Sequence, residues 1–154
     1  MLAGFPDLTP YLAPDRVLHL TGSPSKRDAL LTLGAAISSH PNVTNAAAWL
    51  KAMFDREDVG STGVGGGIAV PHAQHSTVTD FVLGLALCHE GMDFSAKDGK
   101  PVHVLTMIAA PVGDRPTYLK VLASVASRLN RAGAVEAMLA ARDPARTLGV
   151  FLGT

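Results

Sequence analysis

The chain has 154 residues, enough for one compact domain with a sizeable core. Hydrophobic residues make up 47% and charged ones 17%, the reverse of the balance that keeps a chain disordered. Thirteen Lys and Arg offset thirteen Asp and Glu with no long block of either sign, which argues against a nucleic-acid surface.

No apolar run approaches the ~20 residues that span a bilayer, so no membrane insertion is expected. Met1 to Pro10 lacks a positive segment followed by an apolar core and does not read as a signal peptide. The single cysteine, Cys88, is compatible with a reducing compartment, and the expected location is cytoplasmic.

Arg16 to Leu20 reads as a short strand ended by the turn formers Thr21-Gly-Ser-Pro24. Ser25 to Ser39 reads as a helix with Leu30, Leu33, Gly34 and Ile37 on one face, closed by His40-Pro41. Asn42 to Asn45 offers caps for a second helix from Ala46 to about Asp55, with Ala46, Leu50 and Met53 or Phe54 toward the core. Gly60 to Gly67 is a glycine-rich loop that leads into a short strand, Ile68 to Pro71. Phe81–Leu87 and Val102–Ala110 are apolar runs suited to strands covered on both sides, with the turn Lys97-Asp-Gly99 between them. Asp114 and Pro116 open a third helix with a stripe of Leu119, Leu122, Ala126 and Leu129, and shorter helices follow at about Ala134–Ala141 and Pro144–Leu152. The expected fold is a single α/β domain over residues 1–154, a mixed sheet flanked by helices on both faces. The last strand and third helix could belong to a crossover unit.

The densest chemical signal runs from Arg56 through Gly60-Ser-Thr-Gly-Val-Gly-Gly-Gly67 to Ile68-Ala-Val-Pro-His72. Glycines let the backbone approach a ligand closely and expose N–H groups to phosphate oxygens. Pro71 restricts Val70, so His72 leaves the strand end in a limited direction. A neutral imidazole is a competent nucleophile, and phosphoryl transfer needs mainly alignment and donors around the equatorial oxygens. Arg56, Ser61, Thr62 and the N–H groups of Gly65 and Gly66 can supply them. The Walker A loop, the dinucleotide fingerprint and the Gly-x-Ser-x-Gly elbow are all absent from the sequence.

Gly63-Val-Gly-Gly-Gly-Ile-Ala-Val-Pro-His-Ala73 resembles the active-site signature of enzyme IIA proteins of the phosphotransferase system, in the fructose, mannitol and nitrogen-regulatory (type 2) branch. The similarity continues through Gly91–Val102, Ala109-Ala-Pro111 and Thr117–Leu122, and so covers nearly the whole chain. The resemblance implies that His72 is phosphorylated, that Arg56 helps hold the phosphoryl group, and that the donor is a histidine-containing phosphocarrier protein. The acceptor would be an enzyme IIB domain or a regulatory target protein, with no cofactor. An isolated domain leans toward the nitrogen-regulatory type. Two positions depart from the pattern: Gly66 stands where relatives often carry asparagine, and Tyr118 stands where they often carry a second histidine. A phenol there is expected near His72, able to donate a hydrogen bond but not to titrate near neutrality.

The remaining histidines have plainer readings. His75 is a rim residue of the loop, and His19, His40 and His103 are structural or exposed. Cys88 and Trp49 read as core. Two competing functions follow: a non-catalytic binding module that keeps the fold, and, more distantly, a metal hydrolase around His72, His75 and His89. Zinc is not expected, because no further ligand cluster accompanies them.

Overall fold

The computed structural model describes residues 5–154; residues 1–4 of the N-terminal stretch discussed above lie outside the described residues. Its strands are β1 (Val17–Leu20), β2 (Gly63–Gly65), β3 (Ile68–Ala69), β4 (His72–Gln74), β5 (Val82–Met92) and β6 (Val102–Ala110). Its helices are α1 (Lys26–Ser38), α2 (Ala46–Val59), α3 (Arg115–Leu129), α4 (Ala134–Ala141) and α5 (Pro144–Leu152). The strands make one mixed sheet in the order β1-β5-β6-β3-β2, with β4 also paired to β6. β5 and β6 run antiparallel at its centre, β1 joins β5 in parallel, and β3 and β4 follow one another along the far edge of β6, both parallel to it.

Strand alternation divides the core into two layers. Val82, Ala86 and Cys88 with Leu105, Met107 and Ala109 face α1 and α2, meeting Leu33, Ile37, Trp49 and Met53. Leu83, Leu85 and Leu87 with Val104, Ile108 and Ala110 face the C-terminal helices, meeting Val121, Val125, Met138 and Phe151. Both faces of the central strands are covered, which is why their sequences read as continuous apolar runs. Four helices start at a side-chain cap: Ser25 Oγ, Asn45 Oδ1 and carboxylate oxygens of Asp114 and Asp143 each accept from a backbone N–H three residues on.

Three elements differ from the sequence reading. The second helix does not end near Asp55 but runs to Val59, so Arg56 and Glu57 lie on its last turn. Its buried stripe is Trp49, Met53 and Glu57, and Ala46 is exposed. On α3 the buried residues are Tyr118, Val121, Ser124, Val125 and Leu129; Leu119 is 47% exposed, and Leu122 and Ala126 are half-buried. Two adjacent apolar stripes compete on that helix, and the one carrying Val121 and Val125 meets the sheet. No strand follows α3, so it is not the helix of a crossover unit.

The short strand expected at Ile68–Pro71 is also shorter than read, and a further strand follows it. β3 ends at Ala69 and β4 begins at His72, and only Val70 and Pro71 separate them. Proline has no N–H for a ladder bond. The interruption takes the Val70 carbonyl out of the sheet register and leaves it beside the His72 ring.

Gly84 sets how closely α1 approaches β5. A Cβ there would lie 3.1 Å from Leu33 Cδ1, 3.2 Å from Ile37 Cγ1 and 3.2 Å from the Arg16 carbonyl. Gly84→Val is therefore expected to destabilise the fold by about 1–3 kcal/mol through overpacking, read as a lower urea midpoint. An unchanged midpoint would show that α1 has room to retreat.

Candidate functional site

His72 opens β4, opposite Ile108 of β6, and is half-buried. Its Nδ1 lies 2.7 Å from the Val70 carbonyl oxygen. A carbonyl can only accept, so Nδ1 carries the proton and donates, and Nε2 keeps a free lone pair. A hydrogen bond worth about 1 kcal/mol net favours that tautomer by roughly fivefold. Burial lowers the His72 pKa below its usual 6.5; the Val70 bond and Glu57 oppose the shift, and the positive Arg56 adds to it. The ring is therefore neutral at physiological pH, with its nucleophilic nitrogen turned away from the Val70 carbonyl.

A chain of hydrogen bonds runs from α1 to this ring. Lys26 Nζ lies 2.8 Å from Glu57 Oε2. The buried Glu57 carboxylate accepts from the Thr62 backbone N–H at 2.8 Å and from the Thr62 hydroxyl at 2.6 Å. The Thr62 carbonyl accepts from the Val70 N–H at 3.1 Å, and the Val70 carbonyl holds His72. Sequence reasoning missed Glu57, because a charged residue near a helix end is usually solvated. The available signal was its spacing: Trp49, Met53 and Glu57 fall four apart on the face that is buried.

His72, Arg56, Ser61 and Thr62 line one pocket of about 200 Å³, together with Lys97. Arg56 Nη1 donates to the Gly60 carbonyl at 3.0 Å, which caps the end of α2; Nε and Nη2 make no hydrogen bond among the described residues. The two hydroxyls proposed as phosphoryl donors are already engaged. Ser61 Oγ donates to the Phe94 carbonyl at 2.9 Å, and the Thr62 hydroxyl donates to Glu57. Gly65 and Gly66 are not part of this pocket's wall. Gly65 ends β2 and Gly66 opens the turn to β3, with φ of +99° and +68°, and the Gly66 N–H donates to Asp98 at 3.1 Å. That N–H is spent on a carboxylate of the protein itself. Asparagine tolerates left-handed φ, and a Cβ at Gly66 meets nothing within 4 Å, so glycine and asparagine are sterically interchangeable there.

Tyr118 lies beside His72, with ring centroids 6.1 Å apart and planes at 56°. No hydrogen bond joins the phenol to the imidazole. Tyr118 is 8% exposed, and burial raises its pKa above the usual 10.0, so it stays neutral. The free N–H groups at the start of α3 are partly used: Asp114 caps Thr117, and the Tyr118 N–H already donates to the Asp114 carbonyl.

A family profile described as "Phosphoenolpyruvate-dependent sugar phosphotransferase system, EIIA 2" matches residues 11–152. The chain belongs to this family. It is 31% identical over 136 residues to a nitrogen regulatory protein of Bradyrhizobium diazoefficiens, covering 88% of each chain. It is 30% identical over 109 residues to the fructose-specific EIIABC component of Bacillus subtilis, of which it spans 17%. The crystal structure of nitrogen regulatory protein IIA-Ntr from Neisseria meningitidis shares the fold, with a TM-score of 0.84 at 24% identity over 94% of this chain and 98% of that one. In this type 2 EIIA chain, the histidine that ends the glycine-rich motif opens β4, directly after the break that follows β3.

The other histidines lie elsewhere. His75 Nδ1 is bonded to Thr77, and His89 stacks on His19 at 5.7 Å. Among the described residues no group of three or more His, Cys, Asp or Glu is placed to hold a metal. No helix of the described residues is long and apolar enough to cross a membrane.

Replacing Glu57 by glutamine keeps the shape but leaves one oxygen for two Thr62 donors and removes the partner of Lys26. Glu57→Gln is expected to cost about 1–3 kcal/mol, measured by urea unfolding, and to broaden the amide signals of residues 60–63. Unchanged stability with a sharp loop spectrum would show that Glu57 does not anchor the loop.

Proposed function

We propose that this EIIA chain is a phosphocarrier that accepts a phosphoryl group on Nε2 of His72 from a histidine-containing phosphocarrier protein and transfers it onward in the cytoplasm. The reading is carried by one observation: Nδ1 is committed to the Val70 carbonyl, so Nε2 alone keeps a free lone pair on a ring that lines the cationic pocket. In the transfer, the Nε2 lone pair forms a bond to phosphorus while the bond from phosphorus to the donor's histidine breaks, and that electron pair returns to the donor ring. Nδ1–H stays in place, and the Val70 carbonyl stabilises the positive charge that builds on the imidazole. Arg56 and Lys97 attract the equatorial oxygens; the open edge of the Arg56 guanidinium suits two of them at once. No cofactor or metal is required.

The acceptor is an EIIB domain or a regulatory target protein. The names of the relatives support both outputs, since one is a nitrogen regulatory protein and the other an EIIABC component. Transfer to a purified EIIB domain separates the two branches.

Incubation with phosphoenolpyruvate labelled in its phosphate, enzyme I and a histidine phosphocarrier protein is expected to place acid-labile label on the chain. His72→Gln removes the nucleophile and is expected to abolish that label while the fold persists. Label retained in that variant would overturn the assignment, and no label on the native chain would favour the non-catalytic binding module instead.

The labelling rate also has an expected pH dependence. Because burial lowers the His72 pKa below 6.5, the neutral, reactive ring persists through that value. With donor-side titration subtracted, the acid-side fall in rate is expected to have its midpoint below pH ~6.5. A fall already centred above 6.5 would show that the ring is more solvated, or its charge better paired, than described.

A further inference from the structure

The pocket beside His72 is larger and more apolar than a phosphoryl group requires. Tyr118, Leu122 and Ala126 recur every four residues along α3 and so share one face, which the C-cap residue Asn130 continues. Tyr118 is at the His72 end; Leu122, Ala126 and Asn130 line the pocket itself. From Leu122 to Asn130 the pocket follows ~12 Å of helix axis, at ~1.5 Å per residue. A group bonded to Nε2 fills only its first part. The volume of about 200 Å³ equals roughly seven waters at ~30 Å³ each, below the ~300–1,000 Å³ of drug-sized sites.

Its walls have two chemistries. Arg56 and Lys97 supply positive charge, and neither has an ion-pair partner among the described residues. Glu57 is paired with Lys26, and the Asp98 carboxylate is held on the N–H groups of Gly66 and Lys100 and makes no ion pair with either cation. Beyond the cations, Ile68, Val70, Leu122 and Ala126 present an apolar wall. The hydroxyls of Ser61 and Thr62, which could have served a polyol, donate to protein oxygens instead. A sugar phosphate would leave its own hydroxyls desolvated against aliphatic carbon.

We propose that this pocket binds a small anion carrying a short apolar tail, its carboxylate or phosphate on Arg56 and Lys97 and its tail along Leu122 and Ala126, and that this occupant competes with phosphoryl transfer. The competition rests on His72 being the phosphoryl acceptor; the binding does not.

The test is an NMR titration of the full chain, following the Leu122 and Ala126 methyls and the His72 ring. The added compounds are 4-methylpentanoate, butyl phosphate, the uncharged 4-methylpentanamide, glucose 6-phosphate and inorganic phosphate. The two tailed anions are expected to move all three probes along one saturable curve at millimolar concentration, and their relative affinity shows which headgroup is preferred. The amide is expected to bind about tenfold more weakly or less, a loss of ~1.4 kcal/mol. Glucose 6-phosphate and inorganic phosphate are expected to move His72 but not the two methyls. Ala126→Phe fills the channel and Leu122→Asn makes it polar; each is expected to remove the response to the tailed anions, with a dispersed spectrum showing that the variant is folded. Saturating butyl phosphate is expected to slow labelling of the native chain by about fivefold or more, in line with ~1 kcal/mol of competing occupancy. Equal binding of acid and amide overturns the charge role, and no saturable methyl shift with either tailed anion overturns the site. So does a shift of Leu122 and Ala126 seen only with the donor protein, which would make the pocket a socket for a partner's side chain. Binding without any slowing overturns the competition alone, whereas a native chain that takes no label yet binds the tailed anions overturns the phosphocarrier reading and leaves the site standing.

Discussion

The hydrogen bond from His72 Nδ1 to the Val70 carbonyl is the constraint on which the chemistry of this molecule depends. It exists because the edge of the sheet is interrupted for two residues. Had Ile68 to Gln74 run as one strand along β6, the Val70 carbonyl would sit in the ladder or face a neighbour, and the ring would choose its own tautomer. Pro71 enforces the break from inside the chain, while its carbonyl still accepts from Ile108 N–H at 3.0 Å and keeps the segment docked on β6. The break is held from outside by Thr62, whose carbonyl takes the Val70 N–H and whose own N–H and hydroxyl are taken by Glu57. Each link fixes the next residue's backbone, so a carboxylate on α2 reaches the imidazole without touching it.

A buried carboxylate at the C-terminal end of a helix is electrostatically misplaced, since that end carries the negative pole. Lys26 offsets this: it leaves the first turn of α1, lies 4.4 Å over the Phe94 ring and ends on Glu57. Arg56, the preceding residue on the helix, lines the pocket instead and caps the helix through Gly60. Adjacent residues on one turn thus separate their roles. Glu57 fixes geometry from below the loop, and Arg56 supplies charge in the pocket above it. That division leaves the pocket positive around a neutral imidazole, the arrangement that favours an incoming anion without protonating the nucleophile.

Much of this was legible in the sequence, and the failures have identifiable causes. Strands and caps were readable because apolar runs and Ser, Asn and Asp at helix starts are local signals, and His72 was readable because its motif is contiguous. Glu57 was not, since its burial depends on Lys26, which lies 31 positions earlier (57 − 26). The commitments of Ser61 to Phe94 and of Gly66 to Asp98 span 33 and 32 residues, and nothing near either position announces them. On α3 the sequence offered two apolar stripes and no local rule to choose between them. The sheet chose Val121 and Val125, and so turned Leu122 and Ala126 toward the site.

Tyr118 shows what that rotation does to the electrostatics. Because α3 presents Tyr118 to the buried layer as well as to His72, the phenol is desolvated and stays neutral, and His72 is left as the titrating ring of the pair. A second imidazole at this place could carry a proton and with it a charge against the phosphoryl oxygens. Here positive charge is supplied by Arg56 and Lys97 in the pocket wall and by Arg115 near the phenol. The helix face that carries Tyr118 continues into Leu122 and Ala126, so the placement of the phenol beside His72 and the apolar extension of the pocket both follow from one helix orientation.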